Sequence, residues 1–301
     1  MHAAILLSIL AVSTLAARSA LAQELTGTLK KIKETGTITL GHRESSIPFS
    51  YYDDKQQVVG YAMDLCYRIV DAVKADLKLA KLDVALNPVT SATRIPLIAN
   101  GTVDLECGST TNNLERQKQV SFTITHFVTA NRFVSKTSAN LKTVDDLKGK
   151  TIVSTSGTTN IKQITEIGAQ KGLNLNILAA KDHAEAFLMV ETGRAAAFVM
   201  DDILLYSLVA GSKTPQAYVI SADALSVEPY GIMLRREDPA FKKVVDQAMI
   251  ATYRSGAING IYEKWFLKPI PPKGLNLDVP MSAAFKKVIA SPTDSGDPAV
   301  Y

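Results

Sequence analysis

Strand-like and helix-like segments alternate along this chain in the same order twice. The first run places strand, helix, strand, helix and strand patterns at 37–41, 61–77, 82–89, 93–100 and 102–107. The second run repeats that order at 151–155, 158–171, 175–179, 182–192 and 195–200. Such βαβαβ order predicts a parallel sheet covered by helices. Because the order occurs twice, the sequence predicts an α/β protein with two similar lobes.

Two further stretches of β-forming residues, 122–134 and 224–234, predict strands that cross between the lobes. Helical patterns return at 241–255 and 258–266, and the Ser/Pro/Asp/Gly-rich end from 291 is expected to be frayed. If the returning segment completes the first lobe, two connections join the lobes and a ligand cleft lies between them. We therefore expect lobe 1 to comprise 23–128 and 229–301, lobe 2 to be the inserted 129–228, and the hinge to lie near 126–130 and 226–230.

The first 22 residues are predicted to form a signal peptide. Residues 3–17 are apolar apart from small hydroxyls, and Ala20-Leu21-Ala22 has the small-x-small pattern of a cleavage site, so cleavage is expected after Ala22. This segment is too short to cross a bilayer, and no other apolar stretch of about 18 residues follows it. A buried N-terminal helix is the alternative. The signal peptide predicts a soluble periplasmic protein.

Composition excludes several classes of function. The net charge of +4 is spread along the chain without a dense Lys/Arg run, so no nucleic-acid partner is predicted. The two cysteines, Cys66 and Cys107, do not form a CxxC pair, so no metal site and no cofactor are predicted. Both cysteines are expected to point into one core, where a disulfide and two buried free thiols remain open alternatives. The common hydrolase, dinucleotide and phosphate-loop motifs are absent from the sequence.

Polar residues gather where the predicted strands end, which is where open α/β sheets bind ligands. They are Arg43, Arg94, the 107–111 loop, Arg116, the 155–159 loop, His183 and Asp201. Each alone has an ordinary structural explanation: a lone arginine is usually a surface charge, and Ser156-Gly157-Thr158 is more often a helix cap than an anion site. Their common placement favours a binding site.

Short strings spread over most of the chain carry a family resemblance: IPFSY at 47–51, VGYAMDL at 59–65, RIPL at 94–97, ERQ at 115–117, DLKGK at 146–150, SGTT at 156–159 and YEKWF at 262–266. With them, the chain resembles the extracytoplasmic amino-acid-binding proteins of ABC transporters. GHRESS at 41–46, ECGSTTNN at 106–113 and AKDH at 180–183 are more specific and resemble the glutamate/aspartate-binding members. The resemblance implies the type II periplasmic-binding-protein fold, in which two hinge strands join the lobes. No disulfide is carried over from it.

The resemblance also implies a role for each site residue. Arg116 is expected to bind the ligand α-carboxylate bidentately, with Ser109, Thr111 and Thr159 adding donors. Asp201 is expected to accept from the α-ammonium. Arg43, Ser91, Arg94 and His183 lie toward the distal end and suit a side-chain carboxylate, because a buried arginine without a counter-charge rejects a neutral ligand.

The expected function is therefore capture of L-glutamate or L-aspartate by hinge closure and delivery to a membrane permease, by a monomer that is not an enzyme. Three alternatives stay open. In the first, the ligand is glutamine, asparagine or a dicarboxylate without an amine. In the second, the protein is a periplasmic cyclohexadienyl dehydratase on the same fold. In the third, it is a sensor that presents its ligand to a receptor.

Overall fold

The computed structural model describes residues 25–301, so the predicted signal peptide and its cleavage site after Ala22 lie outside the described residues. The first part of the chain forms α1 (Gly27–Thr35), β1 (Thr37–His42), β2 (Ser45–Ser46), β3 (Ser50–Tyr52), β4 (Val58–Val59), α2 (Tyr61–Asp76), β5 (Asp83–Pro88), α3 (Arg94–Ala99), β6 (Leu105–Cys107), α4 (Leu114–Gln117), β7 (Val120–Phe122) and β8 (Phe127–Lys136).

The remaining elements are β9 (Thr151–Thr155), α5 (Thr159–Gln170), β10 (Asn176–Ala180), α6 (His183–Glu191), β11 (Ala197–Asp201), α7 (Asp202–Gly211), β12 (Tyr218–Ile220), β13 (Ser226–Tyr230), β14 (Met233–Arg235), α8 (Pro239–Arg254), α9 (Ala257–Tyr262) and α10 (Ala283–Ala290). A π-helical turn, Glu263–Leu267, follows α9. No helix in residues 25–301 is long and apolar enough to span a membrane.

Two separate sheets form the cores of the two lobes. The first has the strand order β5-β1-β6-β14-β7, and the second has the order β10-β9-β11-β8-β12 with β13 also paired to β8. Each sheet contains one reversed strand, β14 in the first and β8 in the second. The prediction of a two-lobed α/β fold with a mostly parallel sheet in each lobe is confirmed.

Each crossing segment holds two strands where the sequence predicted one. Strand β7 belongs to the first sheet and β8 to the second, and likewise β13 belongs to the second and β14 to the first. Strands β8 and β13 pair antiparallel from Phe127 opposite Tyr230 to Asn131 opposite Ser226. At the end of this pair, Phe127 and Tyr230 pack against Phe49 with ring centroids 5.0 and 5.1 Å away. The crossing strands are thereby anchored in the aromatic core.

The structure resolves the open alternatives for the cysteines. Cys66 on α2 and Cys107 on β6 form a disulfide with their Cα atoms 6.2 Å apart. Helix α2 buries Leu65, Ile69 and Val73 on the same face as Cys66, so the helical spacing turns the thiol toward the sheet. The disulfide ties this helix to the central part of the first sheet.

The prediction of a frayed C-terminal end is wrong. The carbonyl of Thr293 accepts from the Thr125 amide at 2.8 Å, and the carbonyl of Asp294 accepts from Asn112 Nδ2 at 2.9 Å. The Tyr301 hydroxyl lies 2.7 Å from Thr125 Oγ1. The polar tail stays in place because its backbone and hydroxyls satisfy buried polar groups of the 112–125 segment.

Candidate ligand-binding site

A small cavity lies between the two sheets. Its walls are Ser91, Arg94, Ser109, Thr111, Thr158, Thr159, Asn160, His183, Met200, Asp201 and Leu204. About 10 Å³ of this space is open to the centre of a water molecule, which is room for about one water, so the two lobes lie close together around these residues. Asp201 ends β11 and Arg43 directly follows β1, so the cavity lies at the carboxyl ends of strands, as the sequence predicts.

Seven of the nine predicted ligand-binding residues line the cavity. Arg43 and Arg116 stand behind the wall and contact residues that line it. Arg43 Nη2 donates to Ser91 Oγ at 2.9 Å, and Arg116 Nη1 donates to the Thr111 carbonyl at 2.8 Å. The predicted residues therefore form one cluster from the two lobes, and all nine are at least nine-tenths buried, including the five ionisable ones: Arg43, Arg94, Arg116, His183 and Asp201.

The distal end of the cavity is rich in hydrogen-bond donors. Arg43 and Arg94 are both 2% exposed, and His183 Nδ1 lies 2.8 Å from Thr155 Oγ1. Burial, and then the charges of Arg43 and Arg94, hold the pKa of His183 well below its usual range, so its ring is neutral at pH 7. Within residues 25–301, Arg43 Nη1 and His183 Nε2 have no hydrogen-bond partner. Because His183 lines the cavity, its Nε2 is able to bind a ligand there.

The three arginines differ in how their charges are balanced. Arg94 Nη1 lies 3.8 Å from Oε1 of Glu106, a fully buried carboxylate that also accepts from Thr110 Oγ1 at 2.6 Å. In the described part of the chain, Arg43 and Arg116 have no carboxylate within ion-pair distance. Burial, and then the Arg94 charge, lowers the pKa of Arg43 to about 10 and that of Arg116 to about 9. Both stay protonated at neutral pH, and a ligand carboxylate would stabilise them.

The other end of the cavity joins the two lobes through Arg116. The Asn113 side chain caps α4 by accepting from the Arg116 amide at 2.8 Å, which fixes the position of the Arg116 backbone. Its Nη2 then donates to the Gly157 carbonyl at 3.2 Å, across the cleft. The Thr159 hydroxyl donates to Glu228 Oε2 at 3.0 Å, so its proton is directed away from the cavity.

Asp201 supplies the acceptor for a cation. Its Oδ1 accepts from Asn160 Nδ2 at 2.7 Å, and its Oδ2 accepts from the Tyr230 hydroxyl. Burial, and then the negative charge of Glu228, raises the pKa of Asp201 to about 7. A ligand ammonium beside this carboxylate would favour its ionised form. Ser109 Oγ, which has no hydrogen-bond partner within residues 25–301, is available as a further contact.

Sequence reasoning missed part of this site. Asn160, Met200 and Leu204 also line the cavity, while Glu106, Glu228 and Tyr230 support its polar walls; Thr158, which lines it too, belongs to the predicted 155–159 loop. The two glutamates carried a usable signal, because each is a charged residue inside a stretch that otherwise reads as a buried strand. In residues 25–301 no group of His, Cys, Asp or Glu side chains could hold a metal ion.

Residues 38–268 match the family model of bacterial extracellular solute-binding proteins, family 3. The chain belongs to this family. It is 56% identical to the L-glutamate/L-aspartate-binding protein of Pseudomonas aeruginosa, over 96% of both chains. It is 46% identical to the glutamate/aspartate import solute-binding protein of Escherichia coli K12, over 89% of this chain and 88% of that protein. The resemblance predicted from the sequence strings is confirmed, and both relatives are named as binding proteins and not as enzymes.

Solved structures support the fold of this solute-binding protein. An ancestral arginine-binding protein bound to arginine matches with a TM-score of 0.69 and 27% identity, covering 77% of this chain and 98% of that one. The ancestral amino acid-binding protein AncCDT-1, a precursor of cyclohexadienyl dehydratase, matches with a TM-score of 0.66 and 27% identity, covering 79% and 99%. The type II fold is thereby confirmed, and the two glutamate/aspartate-binding relatives, at 56% and 46% identity, are much nearer in sequence than either of these two proteins.

Proposed function

We propose that this solute-binding protein captures L-glutamate and L-aspartate in the periplasm and delivers them to the permease of an ABC transporter. The observation that carries the proposal is the pair of buried arginines, Arg43 and Arg116, which stand directly behind the wall of the cavity without an ion-pair partner of their own in the described chain. Two buried cations without an ion-pair partner, next to a cavity that is also lined by the Asp201 carboxylate, suit a ligand with two carboxylates and one ammonium.

In the proposed complex, Arg116 binds the α-carboxylate together with donors from Ser109, Thr111 and Thr159. Because the Thr159 hydroxyl donates to Glu228, its backbone amide at the start of α5 is the better donor to the ligand. Asp201 accepts from the α-ammonium. Arg43, Arg94, Ser91 and His183 bind the side-chain carboxylate.

Transport requires that the lobes open and close. We place lobe 1 at 23–128 and 229–301, lobe 2 at 129–228 and the hinge in the crossing strands, with the mature monomer beginning after Ala22. Contacts such as that from Arg116 to Gly157 stabilise the closed form, and a bound ligand shifts the population toward it. The closed form is then the state that the permease recognises. Presentation to a receptor, as in a sensor, would use the same closed form.

The other ligands fit the site less well. Glutamine and asparagine would place a neutral amide between Arg43, Arg94 and neutral His183, and would leave buried charge unbalanced. A dicarboxylate without an amine would leave Asp201 without a cation. The relatives named as glutamate/aspartate-binding proteins support the same choice.

Isothermal titration calorimetry of the refolded, ligand-stripped protein tests the proposal. We expect glutamate and aspartate to bind and glutamine and asparagine to bind at least about 30-fold more weakly, the lower end of what a mismatched buried charge costs. Tightest binding of an amide would overturn the acidic specificity. No binding by any amino acid, together with turnover of prephenate or arogenate, would establish the dehydratase alternative instead.

A further inference from the structure

Tyr230 connects the hinge to the proposed ammonium site. It is the last residue of β13 and is fully buried, and its backbone is tied to the loop after β6 through a bridge with Thr111. The next residue, Gly231, donates its amide to the Thr110 carbonyl at 3.0 Å. The Tyr230 hydroxyl reaches across to Asp201 at the end of β11 in the second sheet. No role in ligand binding follows for Tyr230 from the sequence.

We propose that Tyr230 is a positioning residue that orients the Asp201 carboxylate for the ligand ammonium. The proposal rests on the assignment of Asp201 to the ammonium in the proposed function. Tyr230 and Asn160 each donate to a different oxygen of the carboxylate, which fixes its plane. Each oxygen keeps a second lone pair for the ammonium.

The charges around Asp201 explain why this hydroxyl matters. Glu228 on β13 and Asp202 on α7 raise the pKa of Asp201, whereas the hydrogen bonds from Tyr230 and Asn160 lower it. Arg94 and Arg116 face Asp201 from the first lobe. Because the pKa of Asp201 in the closed form is raised to about 7, its ionisation near neutral pH depends on the hydrogen-bond donors beside it. Loss of the Tyr230 donor would move the pKa higher still.

The Tyr230 hydroxyl remains a donor over the useful pH range. Burial, followed by the charge of Asp201, raises the pKa of Tyr230 well above its usual value, so the phenol does not ionise. Its ring packs against Phe49, His126 and Phe127, with centroids 5.1, 6.3 and 6.1 Å away. Replacement by phenylalanine removes the hydroxyl and keeps this packing.

The test compares Tyr230→Phe with wild type by calorimetry from pH 5.5 to pH 9. Tyr61→Phe is the matched control, because Tyr61 is buried in the same aromatic cluster and its hydroxyl donates to the His126 carbonyl at 2.8 Å instead of to Asp201. We expect Tyr230→Phe to weaken glutamate binding about 10- to 100-fold near pH 7, in line with loss of a hydrogen bond to a charged group. The difference in glutamate affinity between the two proteins should become smaller toward pH 9, where Asp201 is ionised in both.

Glutarate, which has both carboxylates and no ammonium, separates this role from a structural one. Its affinity should not fall in Tyr230→Phe, because a more neutral Asp201 does not repel a dicarboxylate, and Tyr61→Phe should bind glutamate as wild type does. Three results would overturn this inference and leave the ligand assignment intact. They are equal losses of affinity for glutamate and glutarate in Tyr230→Phe, a loss of glutamate affinity of the same size in Tyr61→Phe, and wild-type glutamate affinity in Tyr230→Phe at every pH. Failure of the wild-type protein to bind glutamate would overturn the ligand assignment and this inference with it.

Discussion

Charge balance at single residues decides which ligand this cavity accepts. The charge of Arg94 is balanced by Glu106, but Arg43 and Arg116 have no ion-pair partner among the described residues. Asp201 lies near a second carboxylate, Glu228. Burying a charge without a partner is costly. The cost falls when a ligand brings a carboxylate to each arginine, so affinity and acidic specificity have the same physical origin.

Arg43→Ala tests this origin at the distal end. We expect the Kd for glutamate to rise about 30- to 5000-fold, the range measured when one partner of a buried charge pair is removed. Glutamine should lose far less, because it forms no charge pair with Arg43. Calorimetry measures both, with Arg68→Ala as the control, since Arg68 is exposed on α2. Unchanged glutamate affinity in Arg43→Ala would show that the side-chain carboxylate lies elsewhere.

The arginines and Asp201 could be predicted as site residues because strand ends are visible in the sequence and converge in parallel sheets. Their supporting partners could not. Glu228 and Tyr230 lie on β13, where only the pairing of crossing strands brings them to Asp201 and Thr159. Such contacts depend on the relative placement of two lobes, which local patterns do not encode.

At the scale of elements, the loop between β9 and α5 closes against the first lobe. Gly157 has φ +76°, and a Cβ built on it would lie 2.6 Å from Ala92 Cα and 2.7 Å from the Ser91 carbonyl oxygen. Both of these atoms belong to the loop before α3, on the other side of the cleft. The close approach therefore exists only when the lobes are closed.

Gly157→Ala should weaken glutamate binding at least about tenfold, because the added methyl group blocks closure. Gly193→Ala is the control: Gly193 also has φ +76°, and a Cβ there meets no described atom within 4 Å. Both variants carry the backbone strain of alanine at positive φ, about 1 to 2 kcal/mol. Calorimetry and thermal unfolding separate the effects, and equal glutamate affinities in the two variants would contradict the proposed closure.

The disulfide between α2 and β6 is a structural element and not part of the cavity. Its ends are 41 residues apart in sequence, so reduction should lower the free energy of unfolding by about 2 to 4 kcal/mol. Urea unfolding with and without reductant measures the change. The Cys66→Ser/Cys107→Ser variant should be insensitive to reductant and should keep wild-type glutamate affinity, since neither cysteine lines the cavity. A stability unaffected by reductant would contradict this role.

The long elements were predictable because their patterns are strong. The prediction for α2 at 61–77 agrees closely with Tyr61–Asp76, and that for α5 at 158–171 with Thr159–Gln170. Two-residue strands such as β2 and β4 are too short to show a period in the sequence. Helix α7 is apolar on all sides, so its sequence shows no separate buried and exposed faces. The crossing strands were found, but their division between two sheets depends on tertiary pairing.

For the whole molecule, function depends on two lobes that share a small polar cavity and a pair of crossing strands. Arg116 reaches Gly157 across the cleft, and Tyr230 on a crossing strand reaches Asp201, so the residues proposed to hold the ligand groups are tied to the opposite lobe and to the hinge. A ligand drives closure only as far as it binds the closed form more tightly than the open form. Glutamate and aspartate, which balance the arginines, should therefore close the molecule, and glutamine should not.

Small-angle X-ray scattering of the ligand-stripped protein, with and without saturating glutamate and with glutamine at the same concentration, tests this claim most directly. We predict that glutamate lowers the radius of gyration and contracts the interlobe distance distribution, until the curve agrees with the closed structure described above. Glutamine at that concentration should leave the curve of the open protein unchanged. Identical curves with and without glutamate, at a concentration that calorimetry shows to be saturating, would contradict ligand-driven closure.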